Sequence, residues 1–191
     1  AVGYGKFFEQ AISYFPTAKL TKVFRAESEE ITNAANAVLA GCKPAPNKHV
    51  EIIKPTVDDI ANYALINEAM VLCPTNATAS KINRRIQRLR VKSSFSIFTV
   101  LGHQIYSNDR LLFTKNNPKV GILNGHFGIF LKHDTEGIHL KMERIGSITL
   151  SYDDFVNSGA QLGYAVTGHK SQGAGFDIVV VVCENSSVCT K

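Results

Sequence analysis

The chain has 191 residues, 45% of them apolar and 19% charged, a globular balance that excludes a disordered polymer and predicts one domain, or one domain carrying a modest insertion. A net charge of +5 and a pI near 9.0 favour an anionic partner without naming one. Cysteines 42, 73, 183 and 189 make no CxxC pair and no ligand spacing with the histidines, which argues against a zinc site or a disulfide framework, and no apolar run approaches the roughly 20 residues of a membrane span. A cytoplasmic protein with reduced thiols, no metal of its own and no membrane partner is the expectation. The sequence opens without methionine, in what reads as the middle of a structured region, and is expected to be a piece of a longer chain.

In chain order, Gly5 to Phe15 places Phe7, Phe8, Ala11, Ile12 and Phe15 at helical intervals, and Pro16 ends the pattern. Leu20 to Phe24 predicts a short strand. Ser28 can cap a helix running to Gly41, with Glu29 and Glu30 at its positive end. Beyond the loop of Pro44, Pro46 and Pro55, Val57 to Ile66 predicts a helix and Ala69 to Cys73 a strand. Thr75 or Asn76 can then cap a helix from Ala77 to about Val91, with Ile82, Ile86 and Leu89 on one face and Lys81, Arg84, Arg85, Arg88 and Arg90 around the rest. Helices alternating with strands imply a parallel sheet.

From Phe95 to Tyr152 the texture becomes short alternating runs, Arg110 to Phe113, Gly128 to Leu131, Ile138 to Met142 and Ser147 to Leu150, separated by turn signals at Asn116-Asn117-Pro118, Asn124-Gly125 and Glu136-Gly137. This predicts a small antiparallel unit. The α/β texture returns at Leu162 to Thr167 and at Ile178 to Val182, a β-branched run expected of a strand covered on both faces.

Between those last two strands lies GYAVTGHKSQGAGFD, residues 163 to 177. It offers Gly168, Gly173 and Gly175 for close backbone approach, and His169, Lys170, Ser171 and Gln172 as polar groups, at the carboxyl end of a predicted parallel strand where α/β sheets bind ligands. A polar surface loop without a ligand fits the same spacing.

The string Thr167, Gly168, His169, Lys170, Ser171, Gln172, Gly173 resembles motif V of superfamily 1B helicases, the group of RecD-type enzymes and the helicase halves of TraA/MobA-type conjugative relaxases. The resemblance implies DNA contacts from Thr167 and His169, joined by Lys170 and Ser171, and a position nearer the nucleotide for Gln172 and Gly173. Leu20 to Arg25 is similar to motif IV, which implies that Arg25 reaches the terminal phosphate of ATP, an arginine-finger role that contributes about 10³ to 10⁵ in rate; a surface ion pair with Glu27 or Glu29 is the plainer reading. Val71 to Asn76, leading into Lys81-Ile82-Asn83, resembles the strand-to-helix junction that grips single-stranded DNA, with Thr75, Asn76 and Arg84 as the implied contacts. A plain helix cap and a solvated basic face remain the simple alternatives there.

Asn108-Asp109-Arg110 to Phe113, Asn116-Asn117, Val120 and Asn124-Gly125 to Gly128 resemble the signature of the SH3-like insertion of these helicases, with Asn108 in place of the usual glycine. Asp109 and Arg110 are expected to pair with each other inside that insertion, and His103, Lys115 and Lys119 are weaker candidates for DNA contact.

The resemblance thus implies a RecA-like α/β motor domain in residues 1–94 and 158–191, interrupted by an SH3-like β barrel at 95–157. It implies a 5′-to-3′ ATP-dependent DNA helicase or translocase as the parent. ATP and Mg²⁺ would be held mainly by an N-terminal RecA-like domain of the same parent chain, because no GxxxxGK[ST] loop occurs here and the fragment alone is expected to be inactive. Single-stranded DNA and a relaxase or nuclease module are the further implied partners, with conjugation or DNA repair as the setting. A single-strand-binding module and a non-catalytic scaffold domain are the readings from other classes; the first would have no use for Arg25 or for a strand and loop like Thr167 to Gly173.

Overall fold

The computed structural model describes residues 6–18, 28–91 and 97–183, and the chain divides into two compact units, Ala1–Ile53 and Lys54–Lys191. In the first unit, α1 spans Phe7–Tyr14 and ends at an extended Phe15, the conformation that a following proline imposes on its neighbour. Helix α2 spans Glu29–Leu39, with the Ser28 hydroxyl accepting from the Ile31 N–H and two glutamates in its first turn. Both helices stop short of the predicted ends. The predicted strand at 20–24 and Arg25 lie outside the described residues, as do Lys92, the opening residues 1–5 and the final segment 184–191.

The second unit begins with α3, Val57–Ile66, opened by a reciprocal cap in which Thr56 and Asp59 each accept from the other's backbone N–H. Strand β1, Met70–Cys73, follows, and Thr75 rather than Asn76 caps α4, Asn76–Arg90. Then come β2 (Ile97–Val100), β3 (His103–Tyr106), β4 (Arg110–Phe113), a 3₁₀ turn at Pro118–Val120, β5 (Phe127–Asp134), β6 (Gly137–Met142), β7 (Gly146–Leu150), α5 (Tyr152–Asn157), β8 (Ala160–Leu162), β9 (Ala165–Thr167) and β10 (Val179–Val181).

Three strands form an all-parallel sheet in the order β10-β1-β9. Helices α3 and α4 bury Ile60, Ala61, Ala64, Ala79, Ile82 and Ile86 against Val71, Cys73 and Ala165 of that sheet. The predicted both-face burial of Ile178 to Val182 is not found: Val179 is 40% and Val181 65% exposed, while Val180 and Val182 pack inward. A β-branched run reports strand propensity, whereas its burial depends on what lies alongside; among the described residues β10 pairs only with β1 and has one face uncovered, whereas β9, the other outer strand, is buried.

The antiparallel region is a five-stranded sheet ordered β7-β6-β5-β4-β8, with β2 and β3 as a separate hairpin. Among the described residues its outer strands β7 and β8 do not pair with each other, so the predicted closed barrel gives way to an open sheet. Phe113, Phe130, Ile138, Leu140 and Leu150 fill its core, with Phe155 of α5 and Phe98 of β2 packed edge-on against one another. Asn108, standing where the family pattern has glycine, adopts φ +65° in the turn into β4; asparagine tolerates that left-handed region better than other side-chain-bearing residues. Gly163 has a packing cause of its own, because a Cβ there would lie 2.9 Å from the β4 backbone at Leu111 and Leu112.

Candidate nucleic-acid interface

Parallel pairing aligns Cys73 with Thr167, so β1 and β9 deliver their carboxyl ends side by side. The chain leaves β1 through Pro74 into the N-terminus of α4, and leaves β9 into a tight series of turns over residues 168–173. Two segments that are 92 residues apart in number, Thr75 and Thr167, therefore emerge at one sheet edge.

Asn83 locks them together. Its side-chain amide donates to the Ala165 carbonyl at 2.7 Å while its carbonyl accepts from the Ala165 N–H at 2.8 Å, both inside the core. Strand β9 is thereby fixed to the helix whose first turn lies beside its exit. The signal for Asn83 was a lone amide on the otherwise apolar stripe of Ala79, Ile82 and Ile86.

The second lock is Asp109, fully buried. Its carboxylate accepts from Arg90 at 2.6 Å, Gln87 at 2.5 Å, the Tyr106 N–H at 2.8 Å and the Tyr164 hydroxyl at 2.8 Å. The Tyr164 pKa is pushed well up, first by burial and then by the Asp109 charge, so the phenol stays a proton donor. The expected pairing of Asp109 with Arg110 is replaced: Arg110 meets Glu143 at 3.1 Å and lies over the Phe127 ring. Successive residues entering a strand point to opposite faces, so these two neighbours cannot share a partner space.

The same fold sorts the basic helix. Arg85 is held by Asp58 through two bonds of 2.6 and 2.9 Å, which raise its pKa, and Arg90 by Asp109. Lys81, Arg84 and Arg88 are exposed and make no ion pair among the described residues.

A cleft of about 1030 Å³ runs between α4, the β2–β3 hairpin, the β8 segment and the exit of β9. Of the sequence-predicted contacts it gathers Asn76, Arg84, Thr167 and Lys170, together with His103 and Lys115, and Arg88 joins them. No aspartate or glutamate occurs among its described lining residues. Thr75 is the N-cap of α4, its hydroxyl accepting from the Thr78 N–H at 3.1 Å, and so works within its own helix. His169, Ser171, Gln172 and Gly173 fall in the turns beyond β9, outside the cleft lining; the Ser171 hydroxyl donates to the Gly168 carbonyl at 2.9 Å. Lys119 lies away from the cleft, near Asp154, whose carboxyl it helps to hold below its usual range after the bonds from Ser151 and Asn117.

Asp134, Glu136 and His139 also bring ligand atoms within 4.8 Å of one another at the β5–β6 turn. There Asp134 already receives Lys132 at 2.5 Å, the Glu136 N–H at 3.0 Å and shares a hydrogen bond with His139 at 2.8 Å, the arrangement of a pinned hairpin.

No protein-family profile matches the chain. The ATP-dependent RecD2 DNA helicase of Deinococcus radiodurans is 29% identical over 181 residues, covering 87% of this chain and 25% of that protein. Among solved structures, Bacteroides Pif1 bound to ssDNA matches with a TM-score of 0.55 at 20% identity, over 86% of this chain and 45% of that one. Pif1 helicase from Bacteroides in complex with ADP-AlF3 and ssDNA matches with a TM-score of 0.55 at 20% identity, over 88% and 46%. No helix among the described residues is long and apolar enough to cross a membrane. The chain spans a quarter of the curated relative and under half of the solved structures; the likeness to Pif1 is one of fold, an α/β domain, and the likeness to RecD2 is one of sequence over most of this chain.

Proposed function

We propose that this chain is the second motor domain of an ATP-driven DNA helicase, and that its cleft holds the backbone of single-stranded DNA. The observation that carries the reading is the cleft itself: Arg84, Arg88, Lys115 and Lys170 line it with no carboxylate among its described lining residues. An acid-free groove at the carboxyl ends of adjacent parallel strands is built for a polyanion, and such contacts hold phosphates without reading bases. Thr167 and Asn76 add polar groups at the sheet edge, and His169 and Ser171 extend the track along the following turns.

ATP and Mg²⁺ belong to the reading as ligands of an upstream RecA-like domain, which supplies the phosphate cradle. Gln172 and the open backbone at Gly173, where a side chain would meet nothing within 4 Å, fit an approach to a bound nucleotide from this side. Arg25 completes that side by the family resemblance. ATP supplies the free energy of domain closure, while Asn83 and Asp109 keep the helix and the β9 exit moving as one body. Of the two parent types we favour the RecD-like one, because the sequence similarity runs to a RecD2 helicase over 87% of this chain; stepping from 5′ to 3′ is carried over from the family resemblance.

Two measurements test this. Fluorescence anisotropy with an oligo-dT should give salt-sensitive binding with a log-log slope up to about −2.8 for four neutralised phosphates, and Arg84→Ala should make it shallower by about 0.7. A flat salt response removes the cleft from the reading. Mixing the chain with a fragment carrying the ATP loop should restore DNA-stimulated ATPase, and Arg25→Ala should lower its turnover at least 10³-fold; activity unchanged by that substitution removes the finger.

A further inference from the structure

The β2–β3 hairpin closes on a two-residue loop, Leu101-Gly102, between the facing residues Val100 and His103. Both loop residues have positive φ, +48° and +76°. A loop of that kind prefers Asn-Gly or Asp-Gly, because a Cβ in the left-handed region crowds the following carbonyl. Leucine is a poor choice for the first position, and core packing does not explain it either, since Leu101 is 72% exposed.

The hairpin is nonetheless firmly held. Phe98, Val100 and Ile105 are buried in the antiparallel core, and the Gln87 amide of α4 donates to the Gln104 carbonyl at 3.0 Å. Its tip is thus a fixed platform, and Leu101 and Gly102 line the same cleft as Arg84, Arg88 and Lys170. An apolar side chain kept at a conformational cost, on a rigid turn, beside a cationic groove, is placed for a ligand that has both phosphates and flat apolar faces.

We propose that Leu101 is a base-contacting residue of the cleft, covering the face of one nucleobase while the cations hold the neighbouring phosphates. This inference rests on reading the cleft as a single-strand site. It makes part of the affinity dependent on the presence of bases yet indifferent to their identity, since every base offers a face.

The experiment compares oligo-dT with an abasic oligonucleotide of equal length, using the wild-type chain and Leu101→Asn. Asparagine suits the turn better, so the variant should melt at the same temperature or higher. Wild type should prefer oligo-dT, and Leu101→Asn should lose about fivefold in oligo-dT affinity. Its abasic affinity and salt slope should stay unchanged. Retained oligo-dT affinity in Leu101→Asn, with Arg84→Ala still weakened, overturns the base contact and leaves the cleft reading standing. Equal loss on both oligomers also overturns it, since the leucine would then act on the backbone or on the hairpin. Wild-type chain that binds neither oligomer at low salt overturns both, and would assign the exposed leucine to a protein contact.

Discussion

The two larger sheets of the second unit bury themselves by different means. The antiparallel sheet is filled with large side chains, Phe113, Phe130 and Phe155 all being under 2% exposed, and it needs little else. The parallel sheet and its helices meet through alanines at 61, 64, 69, 79 and 165 set around Ile60, Ile82 and Ile86, with no phenylalanine in the cluster, and leave β10 with two exposed valines. Small residues bring backbones close but remove little apolar area from water. Polar bonds add to that packing and set the register: the Asn83 bonds to β9 and the Asp109 network that ties α4 and Tyr164 to the antiparallel side. The loops that carry the proposed DNA contacts leave from the region secured by a few directional bonds, while the heavily packed sheet serves as its anchor. Function drawn from the less densely packed part of a fold is a general expectation.

That contrast can be broken by mutation. Phe130→Ala should cost the most, about 4 kcal/mol in urea melts, because a fully buried ring at the centre of the antiparallel core leaves a cavity; a loss below about 1 kcal/mol would refute the anchoring role. Asp109→Ala should follow at about 3 kcal/mol, since it strands Arg90 and the Tyr164 hydroxyl at a joint between the two regions. Hydrogen exchange should show α4 and β9 losing protection before β5 and β6 do, and uniform loss would mean that the regions are not separately held. Asn83→Ala should cost least, about 2 kcal/mol, by orphaning the Ala165 N–H and carbonyl. Its distinctive sign is weakened single-strand binding at a temperature where the fold is intact; unchanged binding would show that β9 keeps its place without the clamp.

Much of the local structure was legible because its causes are local. Helix α3 and strand β4 fall at their predicted bounds, and Ser28 and Thr75 cap the helices they precede, since periodicity, caps and turn residues act within a few positions of themselves. The cationic character of α4 was equally plain in the residues, but which of its arginines are available was not. Arg85 and Arg90 found Asp58 and Asp109, 27 and 19 positions away, and the fold alone decides such partners.

By itself the sequence determined helices α1 to α4, though not the short α5, the alternation that makes an α/β sheet, and the polar string after β9, all properties of short stretches of chain. Tertiary structure decided that β1 and β9 are neighbours, that the antiparallel strands form an open sheet, that β10 lies at an edge, and that a leucine at a hairpin tip faces the cationic cleft. Those outcomes depend on which distant segments come within contact range, and contact between distant residues is set by burial and pairing of the whole chain.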